Sequence, residues 1–99
     1  MHCLTVTYPA PKEPERFRSY YEGVHLPLAR RLPGLRSCSF AYPAKLGRGP
    51  VPYCIFQGFF ADEAAMMAAL QSEIGAKVAA DVPNYSPEGA TLFHFQVQG

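Results

Sequence analysis

The chain has no tryptophan, few charges and no long apolar run. Each shortage excludes something. Only 17% of the residues are charged, against about 25% in an ordinary soluble domain. A chain so poor in charge has apolar surface to hide, and an oligomer is one way to hide it. The longest apolar stretch, Ala64 to Leu70, is alanine-rich and far too short to cross a bilayer. No basic tract exists beyond Arg30-Arg31, and the formal net charge is +1, which argues against a nucleic-acid partner. Cys3, Cys38 and Cys54 form no CxxC and no Cys/His spacing. Neither a disulfide framework nor a zinc site is expected, and the three read as buried thiols. The N-terminal stretch lacks the basic n-region and apolar h-region of a signal peptide, so the expected location is the cytoplasm. No GxGxxG, P-loop, GxSxG or HExxH is present, and the expectation is no metal and no cofactor.

What is present is apolar and proline-punctuated: 48% hydrophobic residues and ten prolines in 99 positions. The length implies one domain, residues 1–99, which buries roughly two-thirds of the surface its unfolded form exposes. Met1 to Tyr8 reads as a strand, with Leu4, Val6 and Tyr8 alternating against Cys3, Thr5 and Thr7. A helix starts near Pro14 or Glu15 and stops at Pro33-Gly34. Phe17, Tyr21, Val24, Leu28 and Leu32 give it an apolar face. Pro27 interrupts that face. It has no N–H, so the Gly23 carbonyl loses its partner and the helix bends or opens there. Leu35 to Tyr42 is the second strand, Pro43 to Pro52 a loop, and Tyr53 to Phe60 a third strand apolar on both faces. Asp62 and Ser72 cap two further helices, 63–71 and 73–81, and residues 82–87 read as a loop. Thr91 to Gln98 alternates strictly and is the clearest strand.

The order β-α-β-β-α-β is the ferredoxin-like plan, a four-stranded antiparallel sheet with helices on one face. The uncovered face is apolar, so the expectation is a homodimer through the open sheet face.

His25 lies beside the proline fault, on the side of Tyr21 and Leu28. It is either a general acid or base, since imidazole titrates near neutrality, or a buried histidine holding the freed carbonyl. Tyr21 is either a donor to a ligand carbonyl or a core aromatic with its hydroxyl at the rim. Tyr8, Leu28, Cys54 and His94 are the candidates to bind substrate, although His94 on the last strand also fits a purely structural role. No sequence neighbour of Cys54 would lower its pKa.

Tyr8-Pro9, Tyr20-Tyr21, His25-Leu26-Pro27-Leu28 and Leu32-Pro33-Gly34-Leu35 together resemble the EthD family, as do Pro52-Tyr53, Phe60-Ala61-Asp62 and Ala80-Asp81-Val82-Pro83-Asn84-Tyr85. The resemblance implies a dimeric α+β barrel, two ferredoxin-like sheets facing each other with helices outside. Family members accompany ethyl tert-butyl ether degradation, and similar domains act as muconolactone-type isomerases and in polyketide tailoring. The family histidine falls on His25. The cysteine that accompanies it in isomerase-like members falls on Gly58, with Cys54 four residues earlier, about 13 Å along the strand.

The leading expectation is a cofactor-independent oxidoreductase- or isomerase-type enzyme that binds an apolar small molecule between sheet and first helix. His25 is its proton shuttle and Tyr21 orients the oxygen. The alternative is a non-catalytic accessory or carrier protein, and a third reading is a structural dimer with no cavity.

Overall fold

The computed structural model describes residues 1–99. Strands β1 (His2–Tyr8), β2 (Ser37–Ala41), β3 (Cys54–Phe60) and β4 (Thr91–Gln96) form one antiparallel sheet in the order β2-β3-β1-β4. Helices α1 (Pro14–Tyr20), α2 (Leu26–Ala29), α3 (Glu63–Leu70) and α4 (Glu73–Tyr85) complete the β-α-β-β-α-β chain order. Alternation along β1 and β3 sorts the faces. Leu4, Val6 and Tyr8 join Cys54, Phe56 and Phe60 in a core with Phe17, Tyr21, Leu26 and Tyr85 from the helices.

The expected α+β barrel is overturned. The sheet ends in two edge strands, β2 and β4, each hydrogen-bonded on one side only, and does not close. A strand pairs through its backbone groups, and the backbones of β2 and β4 never meet.

Between α1 and α2 lies one π-helical turn, Tyr21–His25, in which Leu26 N–H reaches back five residues to the Tyr21 carbonyl. Proline at 27 removes the donor that an uninterrupted helix would use there, and the wider turn absorbs the defect. The extra residue rotates everything after it by one position. Phe17, Tyr21 and His25 point inward at α spacing, and then Leu26, Ala29 and Leu32 take over. The expected stripe is therefore corrected: Val24 is 49% exposed and Leu28 only half-buried.

The loop expected over residues 82–87 is also corrected, because α4 continues through Pro83 to Tyr85. Tyr85 is the reason. Its ring packs against those of Tyr8, Phe17, Tyr20, Tyr21 and His25 at 4.5 to 5.9 Å between centroids. Pairs of this kind contribute about 0.5–1.5 kcal/mol each beyond burial, and together they hold a last turn that proline alone would end. Asp62 caps α3 through Ala65 N–H at 2.8 Å, and Ser72 caps α4 through Gly75 N–H at 3.0 Å.

On the opposite face of the sheet, Phe93 and Phe95 stack at 6.4 Å and remain 47% and 40% exposed. No helix of the chain is long and apolar enough to cross a membrane.

Candidate functional site

The end of α1, the π turn after it and the C-terminal part of α4 bring four polar side chains together. His25 Nδ1 lies 2.9 Å from Asp81 Oδ2. Tyr20 donates its hydroxyl to Asp81 Oδ1 at 2.6 Å, and Asn84 Nδ2 donates to the same oxygen at 2.9 Å. His25 is 4% exposed, stacked on Tyr21 at 5.6 Å and tilted against Tyr85 at 4.5 Å. A π turn is what allows this placement: the inserted residue turns both His25 and Leu26 toward the core.

The electrostatics follow from burial. Burial pushes the His25 pKa below its ordinary value, and the Asp81 carboxylate only partly restores it. The ring is therefore neutral at neutral pH. Burial raises the Asp81 carboxyl, but the hydrogen bonds from Tyr20, Asn84 and His25 outweigh that and hold it below its usual range. An ionised Asp81 accepts only, so Nδ1 carries the imidazole proton and Nε2 carries the lone pair. The pair is a base held in one tautomer by a carboxylate.

His25 borders a narrow, partly open cavity of about 70 Å³ between the sheet, the π turn, α2 and α4. Leu4, Val6, Tyr8, Phe56 and Leu92 form its floor, and Ala29, Leu32, Val78 and Val82 are among the side chains above. Apart from His25 the wall has one polar group, Tyr8. Its hydroxyl accepts from Tyr85 at 2.8 Å, so its own proton is free to be donated. Burial raises the Tyr8 pKa to about 12, so that proton stays on.

Of the residues singled out from sequence, His25 and Tyr8 meet at this cavity. Tyr21 stacks on His25 but is not part of the wall; its hydroxyl is wholly buried with no hydrogen-bond partner. Burial pushes its pKa far above the ordinary tyrosine value. Cys54 is fully buried in the core with its thiol raised to about 11, a poor nucleophile, and Leu28 sits half-buried outside the wall. Gly58 is packed tight: a Cβ there would meet the Phe56 ring at 3.1 Å and Leu35 at 3.2 Å. His94 lies elsewhere, hydrogen-bonded to His2 at 2.8 Å near the start of α3. Sequence reasoning passed over Asp81, Asn84 and Tyr85 as site residues because they lay in an expected helix end and loop. The available signal was an acid on α4 one residue before the Val82 of its apolar stripe, with Asn84 three residues on.

An open ferredoxin-like sheet whose helices close over a histidine–carboxylate pair and an apolar cavity defines a small α+β protein of ferredoxin-like class. Residues 10–88 match the EthD domain, and the chain belongs to the EthD family. It is 30% identical over 93 residues to an uncharacterized 11.0 kDa protein of the thcB–thcC intergenic region of Rhodococcus erythropolis, covering 93% of this chain and 90% of that one. Its fold superposes on an EthD-family protein from Bacillus halodurans C-125 with a TM-score of 0.90, 22% identity and 99% of both chains covered. SnoaB, a cofactor-independent oxygenase from Streptomyces nogalater, shares the fold at TM-score 0.68 and 15% identity, over 99% of this chain and 93% of that one. The expectation of ether degradation is withdrawn. The relative at 30% identity is uncharacterized and ties the chain to no ether.

Proposed function

We propose that this protein is a cofactor-independent proton-transfer enzyme of catabolic or tailoring type, acting on a small apolar carbonyl compound. One observation carries the reading: a neutral, buried histidine, fixed by Asp81 in the tautomer that leaves Nε2 basic, borders an apolar cavity. Nε2 takes a proton from the carbon next to a carbonyl. The electron pair of that C–H bond becomes the new carbon–carbon double bond, the carbonyl π pair moves onto the oxygen, and the Tyr8 hydroxyl donates to the enolate formed. Asp81 stabilises the imidazolium. Return of the proton to a different carbon completes an isomerisation, and loss of a β-hydroxyl as water completes a dehydration. About 70 Å³ is room for the reacting end of such a molecule, roughly the share of two waters in the liquid. SnoaB, described as a cofactor-independent oxygenase on the same fold, supports a reading without cofactor.

The test is a panel of lactones, quinones and anthrones, with the His25 ring followed by NMR. Expected are a shift of its nitrogen resonances on binding and loss of turnover in His25→Ala. Turnover by His25→Ala at the parent rate would end the proposal. The second reading, a carrier, draws on the apolar wall, in which eleven of thirteen lining residues are hydrophobic. Native mass spectrometry that releases an unchanged co-purified ligand favours it.

We further infer a homodimer in which a second copy covers the face that carries Phe93 and Phe95. Those two rings, with Val97 43% exposed beside them, form an apolar patch on one side of an edge strand. Phe95→Asp is expected to shift a species of about 22 kDa to the 10.9 kDa monomer in sedimentation at micromolar concentration, since a carboxylate buried there has no partner. A parent that sediments as a monomer overturns the inference.

A further inference from the structure

The second histidine pair lies apart from the cavity. His2 and His94 stand on adjacent strands, on the face that carries Leu4, because His2 pairs with Gln96 and Leu4 with His94. Their rings face each other with His2 Nε2 2.8 Å from His94 Nδ1. Glu63, the first residue of α3, brings its carboxylate to the same place: the three ligand atoms all lie within 4.8 Å of one another. They open on a cleft of about 410 Å³ between the start of α3 and the end of β4. His2 is 7% exposed, while His94 and Glu63 face water.

We propose that His2, His94 and Glu63 form a binding site for a divalent transition-metal ion of the zinc type, which ties edge strand β4 to β1 and to α3. Two imidazoles and one carboxylate are the donor set that such ions take, with a fourth position left to water. The geometry is near what the ion requires. Two nitrogens at bond lengths of about 2.0–2.1 Å in a tetrahedral arrangement stand about 3.3 Å apart. The present 2.8 Å is a hydrogen bond, so binding widens the pair by roughly half an ångström and requires the ring that donates it to carry its proton on its other nitrogen. Glu63 is exposed and free to swing inward. Asp62, its neighbour in the cleft, is not one of the three clustered donors, and its Oδ1 holds the α3 cap through Ala65 N–H.

The experiment uses tag-free, chelator-stripped protein titrated with Zn²⁺ by calorimetry and thermal denaturation. Expected are one ion per chain, a Kd in the micromolar range or tighter, and a Tm raised by about 5 °C in excess metal. His94→Gln and Glu63→Gln are each expected to weaken binding at least about tenfold. Both sites are exposed, so both variants fold. Cys38→Ser, which replaces a half-buried thiol that does not line the cleft, is expected to bind as the parent does. No binding up to about 100 µM Zn²⁺ overturns the site. So does parent affinity in either His94→Gln or Glu63→Gln, or loss of binding in Cys38→Ser.

Discussion

In an Asp81→Asn variant, turnover is expected to fall about 10²- to 10⁴-fold while the fold survives. Asparagine has the shape of aspartate, and its oxygen still accepts from Tyr20 and Asn84, which bond Asp81 Oδ1 in the parent. The other position, opposite His25 Nδ1 at 2.9 Å, changes from acceptor to donor. His25 must then accept at Nδ1 and carry its proton at Nε2, the atom that faces the proposed chemistry. Catalysis is lost although the histidine is still present. Two readouts separate this from simple damage. The ¹⁵N shifts of the ring should exchange the protonated and bare nitrogens. The pH profile should also move in a stated direction. In the parent, burial holds the His25 pKa below 6.5 and Asp81 partly restores it. Activity is therefore full above pH 6.5 and falls as the pH drops through that lowered value. Without the carboxylate the restoring effect is gone, so the acid limb moves to lower pH still. Parent turnover together with an inverted tautomer would show that His25 is not the base.

The largest loss of stability is expected from Gly75→Ala, about 3 kcal/mol, read as a fall in Tm of about 12–24 °C for a chain of this size. Gly75 is buried in the first turn of α4, where its N–H meets the Ser72 cap. A Cβ there would stand 2.4 Å from the carbonyl oxygens of both Ala69 and Leu70. These are backbone atoms at the end of α3, so no side chain can rotate away, and the two helices would have to separate. Alanine's better helix propensity, about 1 kcal/mol, offsets only part of that. Gly23→Ala provides the contrast. Nothing lies within 4 Å of a Cβ at Gly23, and no comparable loss is expected. An unchanged Tm in Gly75→Ala would show that the α3–α4 junction is looser than its geometry implies.

Gly75 also shows where sequence reading stops. Ser72 was legible as a cap because capping is a local matter of one side chain and a free N–H. The contact that excludes a methyl group at position 75 comes from the helix before it, and no local pattern reports it. The same division runs through the site. Pro27 announced a disturbed helix, and the widened turn at Tyr21–His25 is that disturbance. Its consequence, a one-position rotation that exposes Val24 and buries Leu26 and Ala29, depends on which way the chain absorbs the defect. His25 stood out by its chemistry. Asp81, 56 residues away and in hydrogen-bond contact with it, did not. Pro83 made the end of α4 read as a loop, but the aromatic packing of Tyr85 carries the helix past it.

By itself the sequence determined the order of elements, the faces of the strands and the histidine beside the proline. These rest on periodicity, capping and the missing N–H of proline, all within a few residues of one another. Tertiary structure alone decided the rest. Sheet closure is a property of edges, and β2 and β4 end the sheet apart from each other. The partners of His25 and of His94 are set by packing and strand register, which join positions 56 and 92 residues distant in the chain. A cavity is a volume that packing leaves unfilled, and it exists only once the helices have settled on the sheet.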